Sequence, residues 1–201
     1  AMTRAAQVRN LFGPLLRLAL RVRVVGAHRV PPQGGLILIS SRTGLVDASI
    51  IRTSLIRPVT VLARVDGQSN DAVSGRAHDD RLALFRWACV QVNRGEAIAG
   101  FPADELRPSQ QHVLGLLPAY VSACTGMPVI PLYIHGARGR RATDPPRPRS
   151  EVTVLVGNPV TWDVVEDPGS RLQILGRVEQ LRQVQADHDR EALARLGIAH
   201  S

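Results

Sequence analysis

The stretch that decides the fold is LILISSRTGLVD, residues 36–47. It begins with four aliphatic residues, which predict a buried strand over residues 36–40. Small and polar residues then interrupt the apolar run, and helical spacing of apolar residues predicts a helix over residues 45–55. A strand that passes directly into a helix is the first half of a β-α-β crossover. The stretch therefore predicts an α/β fold with a central sheet.

The rest of the chain alternates in the same way between apolar strands and helical patterns. Further strands are predicted over residues 22–25, 59–63, 90–92, 97–101, 129–134 and 152–156, and further helices over residues 79–88, 112–125 and 171–187. Strands separated by helices of this length predict a single domain over residues 1–201, with a largely parallel sheet flanked by helices. In the last helix, the pattern predicts a core-facing stripe of Leu172, Leu175, Val178 and Leu181.

Two segments fall outside this alternation. Residues 1–20 predict a basic amphipathic helix that either covers the sheet or lies at a membrane interface. Residues 138–150 are rich in arginine and proline and are predicted to form a loop, which cannot bury a core and is expected to be mobile. Its arginines fit either a solvated loop or contact with an anionic surface or carrier.

Composition suits one globular domain and limits its partners. The 201 residues are 44% hydrophobic, and the net charge of +8 favours anionic partners such as a phospholipid surface, the phosphates of coenzyme A or an acyl carrier protein. Nucleic acid is not expected, because the arginines are scattered and only 3% of residues are aromatic. No metal-ligand spacing or glycine-rich nucleotide loop is present, so no metal or cofactor is predicted.

Cysteine usage and hydropathy bear on the compartment. Cys89 and Cys124 both lie in apolar surroundings, which favours buried thiols over a disulfide or a nucleophile. No apolar run reaches the length of a transmembrane helix, and charges break the N-terminal run that a signal peptide would need. A cytoplasmic setting is expected, with peripheral membrane contact as the alternative.

Four segments occur in the order of the signature blocks of PlsC-like glycerolipid acyltransferases. They are residues 36–47, 90–95 (VQVNRG), 101–109 (FPADELRPS) and 125–137 (TGMPVIPLYIHGA). Together they resemble this family, also called the lysophosphatidate acyltransferases, over roughly residues 20–160. The resemblance implies a glycerolipid acyltransferase-like fold with a tunnel for an acyl chain.

The first block departs from the family at its catalytic residue. Ser41 and Arg42 stand where the family has asparagine and its catalytic histidine, while Asp47 keeps the family's aspartate. In the family, the histidine deprotonates an acceptor hydroxyl that attacks an acyl thioester. A guanidinium is effectively always charged and cannot take a proton. The chain therefore resembles an acyltransferase without its base.

The third block departs at the residues that would bind phosphate. Ala103 replaces the family's glutamate and Asp104 replaces its glycine. A glycine there lets backbone amides approach a phosphate closely, whereas an aspartate adds a like charge. Glycerol-phosphate acceptors are therefore disfavoured, although Arg94 matches the family's phosphate-holding arginine of the second block.

The remaining polar residues of the blocks are the candidate site. Arg42 and Asp47 form either a structural ion pair or, with Arg94, an anion site for a carboxylate, an enolate or a thioester oxygen. If Asp47 pairs with Arg42, we expect it to stay ionised and to suit a base or an orienting role. Arg42 is then its electrostatic partner.

Three further residues are candidates for proton transfer. Asp104 and Glu105 are either solvated loop charges or a replacement general acid or base, since a carboxylate desolvated in an apolar tunnel has a raised pKa. His135 ends the fourth-block strand and is either a spectator or the residue that carries the chemistry. Ser41 and Phe101, from the same blocks, are expected to bind substrate.

These residues leave the function between two classes. In one, the chain binds an acyl-like or polyketide-like apolar molecule and is an enzyme repurposed to cyclisation, hydrolysis or acyl transfer with a different base. In the other, it is a catalytically silent binding or scaffold protein. A residual acyltransferase that uses acyl-coenzyme A or an acyl carrier protein is a further alternative. The sequence does not decide whether the chain is an enzyme.

Overall fold

The main sheet of the protein has six strands, and its central strand comes from the stretch quoted first. The computed structural model describes residues 20–41, 47–62, 64–65, 68–69, 81–100, 111–137 and 149–198. The six strands are β1 (Arg21–Val25), β2 (Leu36–Ser40), β3 (Val59–Leu62), β6 (Ala97–Gly100), β7 (Val129–His135) and β8 (Glu151–Val156). Strands β4 (Arg64–Val65) and β5 (Gln68–Ser69) form a separate antiparallel pair.

The order of the strands is β1-β8-β7-β2-β6-β3. Strands β7, β2, β6 and β3 are parallel to one another, β8 runs antiparallel to β7, and β1 is parallel to β8. The prediction of a largely parallel sheet is therefore confirmed. The carboxyl ends of the four parallel strands meet at one edge of the sheet, called the carboxyl edge below.

Helices cover both faces of the sheet in the described part of the chain. They are α1 (Asp47–Ser54), α2 (Arg81–Asn93), α3 (Gln111–Thr125) and α4 (Arg171–Arg195). Along β2, Leu36 and Leu38 pack into the cluster that contains α1, while Ile37 and Ile39 pack into the cluster that contains α2, α3 and α4. All four of these side chains are fully buried, as expected for a central parallel strand.

One predicted strand is wrong. Residues 90–92 were expected to form a strand of the second block, but they lie in the last turns of α2, which ends at Asn93. Val90 is 45% exposed and Val92 is fully buried, so the short apolar pattern belongs to a helix with one buried side. Three residues fit the repeat of a strand and the repeat of a helix equally well, and the length of α2 shows that they belong to a helix.

The buried face of α4 also differs from the prediction. Leu172 and Leu175 are 82% and 42% exposed, whereas Leu181 of the expected stripe is buried. The buried residues of the helix are Arg177, Leu181, Gln185, His188 and Ala192. They repeat every three or four residues, so they form one stripe of the helix surface. Most of this stripe is polar, so the apolar pattern located only part of the buried face, namely Leu181 and the partly buried Val178.

The buried arginine of this stripe makes two hydrogen bonds and lies over an aromatic ring. Arg177 donates hydrogen bonds to Ser122 Oγ (2.8 Å) and to the carbonyl of Asp163 (2.7 Å), and its guanidinium lies 5.2 Å from the centre of the Trp162 ring. Burial lowers the pKa of Arg177 from its ordinary value. These contacts fasten the first half of α4 to α3 and to the segment after β8.

Candidate functional site

The carboxyl edge of β2 is the point where the direction of the chain across the sheet reverses. From β2 the chain moves to β3 on one side, and from β6 it crosses to β7 on the other side of β2. In open α/β sheets, ligands bind outside the carboxyl ends of strands at such a switch point. Ser41 directly follows β2 and His135 is the last residue of β7, so the structure places both at this edge.

Ser41 makes a short hydrogen bond to the last helix. Its Oγ donates to Asp189 Oδ2 of α4 at 2.5 Å, and both side chains are half-buried. Alternation along β2 puts Ser41 on the same face as Ile37 and Ile39, which is the face that α4 covers. The bond therefore joins the end of the central strand to a helix 148 residues later in the chain.

Gln185 fixes the orientation of the Asp189 carboxylate. Its Nε2 donates to Asp189 Oδ1 at 2.7 Å and to the carbonyl of Leu132 at 3.0 Å. Gln185 is only 4% exposed, and its Oε1 has no hydrogen-bond partner within the described ranges. The side chain therefore serves as a double donor that holds one carboxylate oxygen against the backbone of β7, while the other oxygen faces Ser41.

His188 anchors the same turn of α4 to the neighbouring strand. Its Nε2 lies 3.1 Å from the carbonyl of Leu155 in β8. Burial lowers the pKa of His188, which the hydrogen bond to Leu155 and the nearby Asp189 and Glu191 oppose only in part. The imidazole fits because residue 157 is glycine: a Cβ there would lie 3.0 Å from His188 Nδ1 and 2.6 Å from Pro131 Cγ.

Asp47 lies at the other end of the connection that begins at Ser41. It is the first residue of α1 and is 1% exposed. A carboxylate in the first turn of a helix interacts favourably with the helix dipole, which is a structural role available to it. Asp47 also interacts with other groups of the protein. Its burial beside the carboxyl edge keeps it among the candidate site residues.

His135 and Arg94 fall at opposite edges of the sheet. His135 is exposed and pairs with Thr153 across the antiparallel β7–β8 ladder. Arg94 is exposed and lies between the end of α2 and the start of β6, so it is at the amino-terminal edge. The expectation that Arg94 follows a strand and shares a site with Asp47 and His135 is therefore wrong.

Several predicted positions lie outside the described residues. They are Arg42, Phe101, Asp104 and Glu105, together with residues 1–19 and 138–148. Their roles stay predictions. Among the described candidates, the structure gathers Ser41, Asp47 and His135 toward the carboxyl edge.

The site residues that sequence reasoning missed are Gln185 and Asp189. Both lie beyond the last signature block, in a helix whose apolar pattern marked only part of the buried face. A local signal did exist, because a glutamine four residues before an aspartate on a helix can pair with it. The same pattern occurs at Gln183 and Asp187, which are exposed, so the pattern alone does not identify the buried pair.

The described residues limit the chemistry of the site. They contain no group of three or more potential metal ligands. Cys89 and Cys124 are free thiols rather than a disulfide, as expected, and they are half-buried rather than buried. Burial raises the pKa of Cys89 to about 12, so this thiol is a poor nucleophile near neutral pH. Among the described residues at the carboxyl edge, the Ser41 hydroxyl held by the Asp189 carboxylate is one group that can exchange a proton during attack on a carbonyl.

Comparison with known proteins supports the fold. No family model matches this sequence, and no curated protein matches it. The structure is similar to the crystal structure of the 1-acyl-sn-glycerophosphate (LPA) acyltransferase PlsC from Thermotoga maritima, with a TM-score of 0.53 and 17% sequence identity. The match covers 93% of this chain and 84% of that chain. The acyltransferase-like α/β fold is thereby confirmed, and at this identity the likeness extends to the fold alone.

Within the described ranges, no helix combines the length and the apolar character that crossing a membrane requires.

Proposed function

We propose that this chain binds a long apolar molecule, acyl-like or polyketide-like, and acts on it by a reaction other than lysophosphatidate acylation. The reaction is cyclisation, hydrolysis or acyl transfer with a different base. The observation that carries this proposal is Arg42, which stands directly after Ser41 where the resembling family has its histidine. The surrounding scaffold is kept, since β2, β6 and β7 meet at a carboxyl edge in a fold similar to that of PlsC.

The loss of the base and the loss of the phosphate site support each other. Arg42 cannot accept a proton from an acceptor hydroxyl. Asp104 stands where the family has a phosphate-binding glycine, and Arg94 lies at the opposite edge of the sheet from Ser41. Both halves of the lysophosphatidate reaction are therefore weakened, which favours a different acceptor or none.

The alternative is binding without turnover. A silent protein would need the apolar site but not a proton carrier, so binding and catalysis have to be measured separately. The net charge of +8 supports partners with phosphate groups, namely a coenzyme A thioester, an acyl carrier protein or an anionic membrane surface.

The test has two arms. In the first, palmitoyl-coenzyme A is titrated into the protein by calorimetry, with coenzyme A as the control for binding through phosphates alone. We expect the palmitoyl thioester to bind more tightly and with a negative heat-capacity change, because apolar surface is buried. Equal affinity for the two ligands would overturn the claim of an acyl-chain site.

In the second arm, lysophosphatidate acylation is measured with palmitoyl-coenzyme A as donor. We expect background rates from the natural protein and from the Arg42→His variant, because restoring the base does not restore the phosphate site. Turnover at or above about 1 s⁻¹, the lower end of the usual enzyme range, would contradict the proposal.

A further inference from the structure

The geometry points to Ser41 and Asp189 as a catalytic pair in which Ser41 accepts an acyl group covalently and Asp189 carries its proton. This inference rests on the proposed function, because it requires an acyl-like molecule at the carboxyl edge. Asp189 lies outside the four signature blocks and on a different element from every candidate that the sequence predicted. The pair replaces the missing histidine with a base supplied by the last helix.

The first support is the geometry of the contact. The 2.5 Å between Ser41 Oγ and Asp189 Oδ2 falls in the range of hydroxyl–carboxylate bonds that are assisted by charge. The hydroxyl hydrogen must lie on this short line for the bond to form. The oxygen lone pairs of Ser41 therefore point away from Asp189, as attack on a carbonyl carbon requires.

The second support is the orientation of the base by a third group. Gln185 holds Asp189 Oδ1 at 2.7 Å and is itself held by the Leu132 carbonyl at 3.0 Å. A nucleophile, a base and an orienting group in hydrogen-bond contact are the arrangement that nucleophilic catalysis requires. Here the orienting group is anchored to the backbone of β7, a neighbour of the strand that carries Ser41.

The third support is the position of the pair at the margin of the helix–sheet contact. Deeper residues already fasten α4, since Leu181 is 2% exposed, Ala192 is 1% exposed and Arg177 is bonded to α3. Ser41 and Asp189 are half-buried, so the pair lies nearer the protein surface than these fastening contacts.

The reaction is balanced with a thioester as the co-reactant. Ser41 Oγ forms a bond to the thioester carbonyl carbon while its proton passes to Asp189 Oδ2. The C–S bond then breaks, and the departing thiolate takes that proton from Asp189. Water or an acceptor hydroxyl next attacks the serine ester and gives its proton to Asp189. As the ester bond breaks, the proton returns to Ser41 Oγ, and an acid or a new ester is released.

The experiment follows acylation by intact-protein mass spectrometry. The full chain is incubated with palmitoyl-coenzyme A and, separately, with p-nitrophenyl palmitate as an activated ester, and the modified residue is located by peptide mapping. We expect the mass to rise by one acyl group, located on Ser41. Ser41→Ala should abolish this gain, and Asp189→Asn should slow it by about 10²–10⁴-fold, the usual contribution of a positioned base.

The matched controls use the same substitutions at neighbouring positions. Asp187→Asn, on the exposed side of α4, and Ser40→Ala, one residue before the proposed nucleophile, should both acylate at the natural rate. Circular dichroism at the assay temperature shows whether each variant is folded. If Asp189→Asn does not fold, Asp189→Glu replaces it, and a rate closer to natural is expected because the carboxylate is kept.

Each other outcome overturns the inference. Absence of acyl-Ser41 with both donors, acylation at another residue, or equal rates in the natural protein and Asp189→Asn would do so. If palmitoyl-coenzyme A binds in the calorimetric arm but neither donor acylates Ser41, the inference fails while the proposed function stands. If palmitoyl-coenzyme A does not bind more tightly than coenzyme A, the proposed function itself is contradicted.

Discussion

Changing Gln185 to glutamate tests the buried hydrogen-bond network with one nearly isosteric substitution. The amide donates hydrogen bonds to the Leu132 carbonyl and to Asp189 Oδ1. An ionised glutamate has no hydrogen to donate, so its oxygens would lie against these two acceptors without a hydrogen bond. A hydrogen bond to a neutral group contributes about 0.5–1.5 kcal/mol and one to a charged group about 1.5–3 kcal/mol. With the cost of a second buried negative charge, we expect Gln185→Glu to lower the free energy of unfolding by about 3–5 kcal/mol.

The matched control is Gln183→Glu on the same helix. Gln183 also donates to an aspartate four residues later, Asp187 Oδ1 at 2.9 Å, but this pair is exposed. The like charges there should cost only about 0.5 kcal/mol or less. Urea unfolding followed by circular dichroism at pH 7.5 measures both variants, and the melting temperature of Gln185→Glu should fall by on the order of 10 °C.

Comparing the two variants separates the effect of burial on stability from the effect of the local sequence. The penalty at Gln185 should shrink in acid, because protonation removes the second charge and restores one donor. If Gln185→Glu is no less stable than Gln183→Glu, then the network does not hold α4 on the sheet and the orientation assigned to Asp189 loses its basis.

Two further predictions concern the same contact between α4 and the sheet. Burial holds the folded-state pKa of His188 below its ordinary value of 6.5, so the unfolded chain binds more protons than the folded chain as the pH falls. Stability that is present above about pH 6.5 is therefore lost in acid. The urea midpoint should therefore drop between pH 7.5 and pH 5.5, and His188→Gln should flatten that drop; an unchanged slope would contradict the assignment. Gly157→Ala should destabilise the protein by about 1–3 kcal/mol, since its Cβ would meet Pro131 and His188. In the same thermal-melting measurement Gly176→Ala, which meets nothing within 4 Å on helix α4, should be neutral or stabilising by up to about 1 kcal/mol, and equal effects of the two alanines would refute the packing argument.

The sheet could be predicted from the sequence because its signal is local. The predicted bounds of β2 coincide with the observed Leu36–Ser40, and the strands that became β7 and β8 differ by a single residue at one end. Continuous aliphatic runs between helical patterns have few other interpretations in a chain of this length. The strand predicted over residues 90–92 was wrong because three residues are too few to distinguish the repeat of a strand from that of a helix.

The candidate site could be predicted only in part, because its second half depends on tertiary packing. Ser41 was identified as a substrate-binding candidate through the first signature block, which is local in sequence. Asp189 could not be, since its contact with Ser41 spans 148 residues and α4 buries polar side chains where apolar ones were expected. Gln185 is buried because of what it bonds, and nothing in its own sequence neighbourhood distinguishes it from the exposed Gln183.

The pairing of β1 has a consequence for how the chain reaches its native state during synthesis. This edge strand precedes the other five strands of the main sheet, yet its single neighbour is β8, which the ribosome delivers last of the six. Arg29, just after β1, likewise waits for its bond to the carbonyl of Val156, a partner 127 residues later. Until then the backbone donors and acceptors of β1 and the apolar side chains of Val22 and Val24 have no partners in the sheet. Such late, non-local pairing slows folding and leaves a strand edge open to other chains, so the nascent protein is most vulnerable to aggregation just before β8 emerges.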